Sequence, residues 1–189
     1  SFYVMTAGAG RKRRRLLLFS MRTERLFLRP YEEKDRPHLI ELFTDAEVMK
    51  HVGGGVMTED KAGQWWRKLF EKFYPQGLNI WAVFALEDGR YVGHAGIYRR
   101  PTREQDWEFV YFLRRAEWGK GYATEIARKI VDFGFEDLGL EEIFATVDDD
   151  HYGSIKVIEK AGLSFSHHEF DDEGRFSVYS IKAPKKSER

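Results

Sequence analysis

Apolar positions along this chain switch between a period of two and a period near 3.6, and the switches mark its elements. Over Glu24–Pro30 the run Arg25, Leu26, Phe27, Leu28, Arg29 alternates and stops at Pro30, which predicts a short strand. Leu39, Ile40, Leu42, Phe43 and Val48 recur at helical spacing and end at the glycine-rich break His51–Gly55. Thr58 opens a second helix through Trp65, Trp66, Leu69, Phe70 and Phe73, closed by Pro75 and Gly77. Asn79–Leu86 and Tyr91–Arg99 read as strands joined at Glu87-Asp88-Gly89-Arg90, where Asp-Gly signals a hairpin, and Trp107–Leu113 as another strand. From Ala123 the apolar positions 123, 126, 127, 130, 131, 134 and 138 follow one helical face until Gly139. Ile143–Val147 is then a strand, Ile155, Ile158 and Ala161 lie on a helix ended by Gly162, and Ser164–Phe170 pairs with Phe176–Ile181 across Asp171–Arg175. The order β-α-α-β-β-β-α-β-α-β-β, with no internal repeat and no linker over 21–183, predicts a mixed α/β (α+β) layer with helices on both faces.

Composition narrows the class. At 189 residues, 42% apolar and a mean hydropathy of −0.54, the chain has the length and balance of one soluble globular domain. The 31 basic and 31 acidic residues cancel, but 1–20 hold Arg11, Lys12, Arg13, Arg14 and Arg15 and no acid, which leaves −5 on 21–189. A mildly acidic folded part argues against binding nucleic acid through many phosphate contacts. Cysteine is absent, which excludes disulfides, thiolate metal sites and cysteine nucleophiles and fits a cytoplasmic protein. Leu16–Phe19 after the arginines imitates a signal peptide, yet its apolar stretch is too short and no small-residue cleavage site follows. No run approaches the roughly twenty apolar residues that span a bilayer. The expected organisation is a flexible basic extension over 1–20, one domain over 21–183 and a tail over 184–189.

The informative segment is Phe112-Leu113-Arg114-Arg115-Ala116-Glu117-Trp118-Gly119-Lys120-Gly121-Tyr122-Ala123-Thr124-Glu125, where a strand passes through a glycine-bearing loop into a helix. Glycines let a ligand approach the backbone, and N–H groups at the helix start suit an anion. It is not a Walker loop, since no Gly-Lys-Ser/Thr follows at the right distance, nor a dinucleotide fingerprint, since Thr124 stands where the third glycine belongs. From Glu108 to Leu163 the chain resembles the GNAT superfamily of acyl-coenzyme A N-acyltransferases, and within it the RimJ/RimL-like branch that acetylates ribosomal-protein N-termini. The resemblance rests on Trp118-Gly119-Lys120-Gly121-Tyr122-Ala123-Thr124-Glu125 and Ser154–Gly162 and extends more weakly to Arg22–Arg29 and Ala46–Gly54.

That resemblance implies a GNAT-like mixed, mostly antiparallel sheet and acetyl-CoA as co-substrate, with no metal. It assigns the coenzyme A pyrophosphate to backbone groups of Gly119, Lys120, Gly121, Tyr122, Ala123 and Thr124, and pantetheine to the strand end Phe112 and Leu113, paired like an added strand. Trp118 stands where the family usually has Gln or Arg, and His151 where it has Asn, so the contact at each differs in kind or geometry. Glu108, the sole group of Trp107–Leu113 charged near neutral pH, is the candidate general base; the alternative is a salt-bridged strand residue, with Arg99 or Arg103 as partner. The family's tyrosine acid is replaced by Ile158, and Ser154 is the residue the branch places near the thioester; a simple helix-start role is the alternative. No histidine pair has metal-ligand spacing: His167 and His168 point to opposite faces, and His94 is read as a core or cleft residue. Trp65, Trp66, Phe70 and Phe73 read as core, and Arg99, Arg100 and Arg103 as a solvated turn that could otherwise hold an acidic acceptor. The implied activity is acetyl transfer to a primary amine, a protein N-terminus first, by direct attack in a ternary complex. The alternatives are a small-molecule amine such as a polyamine or antibiotic, or a non-catalytic acyl-CoA sensor; the expected assembly is a monomer or homodimer.

Overall fold

The computed structural model describes residues 3–5, 16–100 and 103–185. Its strands are β1 (Tyr3–Met5), β2 (Leu16–Leu18), β3 (Met21–Arg22), β4 (Leu26–Arg29), β5 (Asn79–Ala85), β6 (Tyr91–Arg100), β7 (Arg103–Leu113), β8 (Glu142–Asp148), β9 (Ser164–Asp171) and β10 (Gly174–Lys182). The helices are α1 (Arg36–Phe43), α2 (Ala46–Met49), α3 (Glu59–Lys68), α4 (Tyr122–Glu136) and α5 (Tyr152–Lys160). Eight strands form one sheet in the order β3-β4-β5-β6-β7-β8-β10-β9. The pairs β3/β4, β4/β5, β8/β10 and β9/β10 run antiparallel, while β7 and β8 are parallel with Glu108 opposite Phe144. The mixed, mostly antiparallel sheet with helices is therefore present. By its internal contacts the chain forms two compact units, Ser1–Gly96 with Tyr111–Lys120, and Ile97–Val110 with Gly121–Arg189.

In the first unit the aromatic run of α3 packs inward as its spacing requires. Trp66, Leu69 and Tyr74 join Leu39, Leu42 and Phe43 of α1 and Ile80, Ala82 and Tyr91 of the strands in one buried cluster. The helix expected over Leu39–Val48 is two: α1 stops at Thr44, and the Asp45 carboxylate accepts the N–H groups of Glu47 (3.0 Å) and Val48 (3.4 Å), starting α2 afresh. At the N-terminus, β1 and β2 pair antiparallel, with Tyr3 opposite Leu18, and Trp81 Nε1 donates to the Phe19 carbonyl (2.8 Å). Regular structure thus begins before Met21, whereas the basic cluster Arg11–Arg15 and the last residues of the tail lie outside the described residues.

One glycine in this unit has no substitute. An ideal Cβ built on Gly93 of β6 would stand 2.2 Å from the Phe112 carbonyl oxygen and 3.0 Å from Leu113 Cα, both backbone atoms that cannot rotate away. Gly93→Ala is expected to lose about 3 kcal/mol or more, a drop in Tm on the order of 10 °C, because β6 must separate from the end of β7. Gly134→Ala is the control: there the new methyl meets the movable Ile143 Cδ1 at 2.5 Å, and the loss should be the smaller of the two in parallel thermal melts.

In the second unit α4 follows a strict helical stripe, with Tyr122, Ile126, Ala127, Ile130, Val131 and Phe133 buried. Gly134 lets this helix lie against Ile97 and Ile143, and Arg128 Nε donates to the Lys160 carbonyl at the end of α5 (3.2 Å). Gly139 (φ 63°) turns the chain into β8.

Candidate active site

The loop from Trp118 to Thr124 is shaped by two glycines in the left-handed region, Gly119 at φ 75° and Gly121 at φ 83°. Space is open within 4 Å of where a Gly119 Cβ would stand. Gly121 occupies the cap position of the 15-residue α4 and brings no side-chain acceptor to its first turn. Backbone N–H groups and the positive end of the helix dipole therefore face the approach with nothing but hydrogen on the glycine, which suits an anion such as pyrophosphate.

The loop is held from beneath by Glu117, which is 3% exposed. Its carboxylate accepts from Arg90 Nε (2.8 Å) and Nη2 (3.2 Å) and from Lys120 Nζ (3.0 Å). The Arg90 guanidinium, then Lys120, hold its carboxyl below the usual range. Arg25 Nη1 adds a bond to the Lys120 carbonyl (2.9 Å). The Lys120 ammonium is thus engaged by Glu117. Trp118 is half exposed and donates Nε1 to the Leu113 carbonyl (2.9 Å), so its indole braces the strand end assigned to pantetheine. Leu113 is buried, and the Phe112 ring stacks on His94 at 5.6 Å and 12°.

His94 lies in the core. It is 2% exposed, its Nδ1 is 2.8 Å from Tyr31 Oη, and Tyr31 Oη is 2.8 Å from Tyr91 Oη. Burial pushes its pKa down to about 3, so the ring stays neutral at ordinary pH and serves as a rigid backing for Phe112.

Glu108 sits in β7, in the second unit, with its side chain 14% exposed. Burial raises its carboxyl above the usual range, opposed chiefly by Arg100 and by a hydrogen bond from the Thr146 hydroxyl. The ion-pair partner is Arg100, with Nε 3.4 Å from Oε2, and not Arg99 or Arg103. Arg99 donates to the Glu104 carbonyl (2.7 Å) and lies over the Trp107 ring, while Arg103 reaches Asp106 (3.3 Å). Arg100 is also no part of a solvated turn: it is 4% exposed and binds the Glu169 carboxylate with both terminal nitrogens (2.9 and 3.0 Å). Sequence reasoning missed this network. Its one signal is the parity of Tyr98 and Arg100 on β6 and of Asp106 and Glu108 on β7, which a period of two puts on one face of each strand.

The turn after β8 leads into α5 with His151 at the cap (φ −84°, ψ 66°), where its ring makes no capping bond. Ser154 is the third helical residue and partly buried, one turn short of Ile158, which is 2% exposed and part of the core. His167 and His168 diverge as expected, His167 Nε2 to Glu169 (2.8 Å) and His168 Nδ1 towards Ser177 Oγ (3.3 Å). A cavity of about 630 Å³ opens beside Asp106, Trp107, Leu140, Glu142 and Phe144, at the starts of β7 and β8. None of the residues expected from sequence to bind or react lines it.

The acetyltransferase (GNAT) domain family matches residues 25–164. The chain is 32% identical over 148 residues to the protein YkkB of Bacillus subtilis, covering 76% of this chain and 84% of that one. It is 33% identical over 155 residues to the FsC-acetyl coenzyme A-N(2)-transacetylase of Aspergillus fumigatus, covering 77% and 65%. Among solved structures, an acetyltransferase from Agrobacterium tumefaciens superposes with a TM-score of 0.75 at 25% identity, covering 92% of this chain and all of the other. The family match, which spans residues 25–164, makes this chain a member of the GNAT family, an acetyl-CoA-dependent N-acetyltransferase.

Proposed function

We propose that the enzyme acetylates a primary amine by direct attack on the thioester of bound acetyl-CoA, with Glu108 as general base and Ser154 beside the leaving sulfur. The observation that carries this reading is Glu108 itself: a largely buried carboxylate, raised above its usual range, on the strand that leads to the cradle. The free amine nitrogen forms the new C–N bond while its proton passes to the Glu108 carboxylate, directly or through one water. The C–S bond then breaks, the Ser154 hydroxyl donates a hydrogen bond to the departing thiolate, and the thiolate takes its proton from solvent, to which Glu108 later returns the amine's proton. Phosphates seat on Gly119, Lys120, Gly121, Tyr122, Ala123 and Thr124, pantetheine runs along Phe112 and Leu113, and Trp118 and His151 are the remaining candidates for cofactor contact. A protein N-terminus, as in the RimJ/RimL-like branch, is the first choice of acceptor.

A small-molecule amine is the second reading, favoured by a relative from Escherichia coli, 26% identical over 161 residues, that is named as a spermidine N(1)-acetyltransferase. Steady-state turnover of acetyl-CoA against a panel of unblocked peptides and of small amines decides between them. A kcat/KM for some peptide at least about a hundredfold above every small amine is the expected result. The reverse ranking would reassign the acceptor, and coenzyme A binding with no turnover on any amine would make the chain a sensor.

A further inference from the structure

The face of the second unit that carries Glu108 holds more negative than positive charge. One guanidinium, Arg100, serves three carboxylates: Glu169 takes both terminal nitrogens at 2.9 and 3.0 Å, Glu108 approaches Nε at 3.4 Å, and Asp106 stands 4.0 Å from Nη1. Arg100 and Asp106 are deeply set, 4% and 13% exposed, and Asp106 Oδ2 is buried without a hydrogen-bond donor although Arg103 Nε lies 3.3 Å away. Glu169 in turn meets His167 Nε2 at 2.8 Å.

We propose that Arg100 is a positioning residue for the acetyl-transfer reaction: by dividing its guanidinium unequally between Glu169 and Glu108, it fixes the Glu108 carboxylate in the sheet while leaving it free to accept a proton. The fork belongs to Glu169 because two parallel N–H···O bonds outcompete one oblique contact. Had Arg100 given its fork to Glu108, that carboxylate would be a tightly held anion and a poor base. Were Arg100 missing, Glu108 would face Asp106 and Glu169 with no buried cation beside them. The remaining groups around Glu108 are Tyr98 on β6, whose phenol is raised by burial and by Glu108, and the Thr146 hydroxyl on β8. Glu169 thus acts on the base from β9, through Arg100 and through its own charge.

This inference rests on the reading of Glu108 as base, and its test separates the two. In the full-length enzyme carrying ¹³C-labelled glutamate, the Glu108 carboxyl resonance is identified by its loss in Glu108→Gln and titrated. Glu169→Gln removes a like charge and releases the fork, so the Glu108 midpoint should fall by about one pH unit. Arg100→Gln should raise it by at least as much, and Arg100→Lys, which keeps the charge but not the fork, should restore most of the difference. The acid limb of kcat should move with each midpoint while KM for acetyl-CoA stays within about twofold. A midpoint that does not move in Glu169→Gln overturns the proposal, even if Arg100 variants prove too unstable to measure. Midpoints that move as expected while Glu108→Gln keeps a wild-type kcat profile would leave Arg100 setting the charge on Glu108 and remove Glu108 from catalysis.

Discussion

Glu108→Gln is expected to slow acetyl transfer by about 10²–10³-fold near neutral pH, with the deficit shrinking towards high pH. The sign follows from the two protons involved. The acceptor must be a free amine to attack, and its nitrogen turns acidic only as the C–N bond forms, so a carboxylate beside it is worth most when solvent hydroxide is scarce. Burial raises the Glu108 carboxyl, with Arg100 opposing, so its charged form is lost as pH falls through that raised value. The wild-type rate should therefore show an acid limb above the ordinary glutamate range. In Glu108→Gln this limb should vanish, leaving only the slope set by the acceptor's own protonation. Calorimetric affinity for coenzyme A should be unchanged, because Glu108 precedes the strand end and loop assigned to the cofactor. A ratio of mutant to wild-type kcat that stays at one from about pH 6 to 10 would place the proton elsewhere, with bulk water the first alternative.

How much of this was legible from sequence depends on the range of the interaction. The shape of the Trp118–Thr124 loop was legible because it is local: Gly119 and Gly121 are placed by the strand before them and the helix after them, and both adopt the positive φ that only glycine takes easily. The hairpin at Asp88-Gly89 and the helix end at Gly139 were legible for the same reason, at φ 72° and 63°. The break between α1 and α2 was hidden because the apolar spacing runs straight through it, and only the Asp45 carboxylate shows that a new helix starts. Which of Arg99, Arg100 and Arg103 faces the interior is fixed by strand register, and one residue of slip would exchange Arg99 for Arg100. The partner that makes Arg100 tolerable indoors, Glu169, lies 69 residues further along the chain. Only the strand order β7-β8-β10-β9 brings that segment into the same sheet, and no local pattern encodes the order.

Gly121→Val is expected to weaken coenzyme A binding by about a hundredfold or more while leaving α4 folded. Valine acts on both states of the loop, free and bound. In the free protein Gly121 holds φ 83°, where a β-branched residue is strained, so valine would pull the cap towards negative φ and re-aim the first N–H groups of the helix. In the proposed complex, a valine side chain at the cap would crowd the pyrophosphate against those donors, and losing one or two charge-assisted bonds of about 1.5–3 kcal/mol each accounts for a hundredfold. The helix itself should survive, because its buried stripe from Ile126 to Phe133 lies beyond the first turn. Circular dichroism and a melt that shifts by only a few degrees would verify this. A short acetyl-pantetheine thioester lacking the pyrophosphate supplies the decisive comparison. Turnover of that donor should be nearly equal in wild type and Gly121→Val, since it never reaches the cradle, while turnover of acetyl-CoA at low concentration should collapse. Equal calorimetric affinity of the two proteins for coenzyme A would mean that the phosphates sit elsewhere and that the glycines of Trp118–Thr124 serve only the turn.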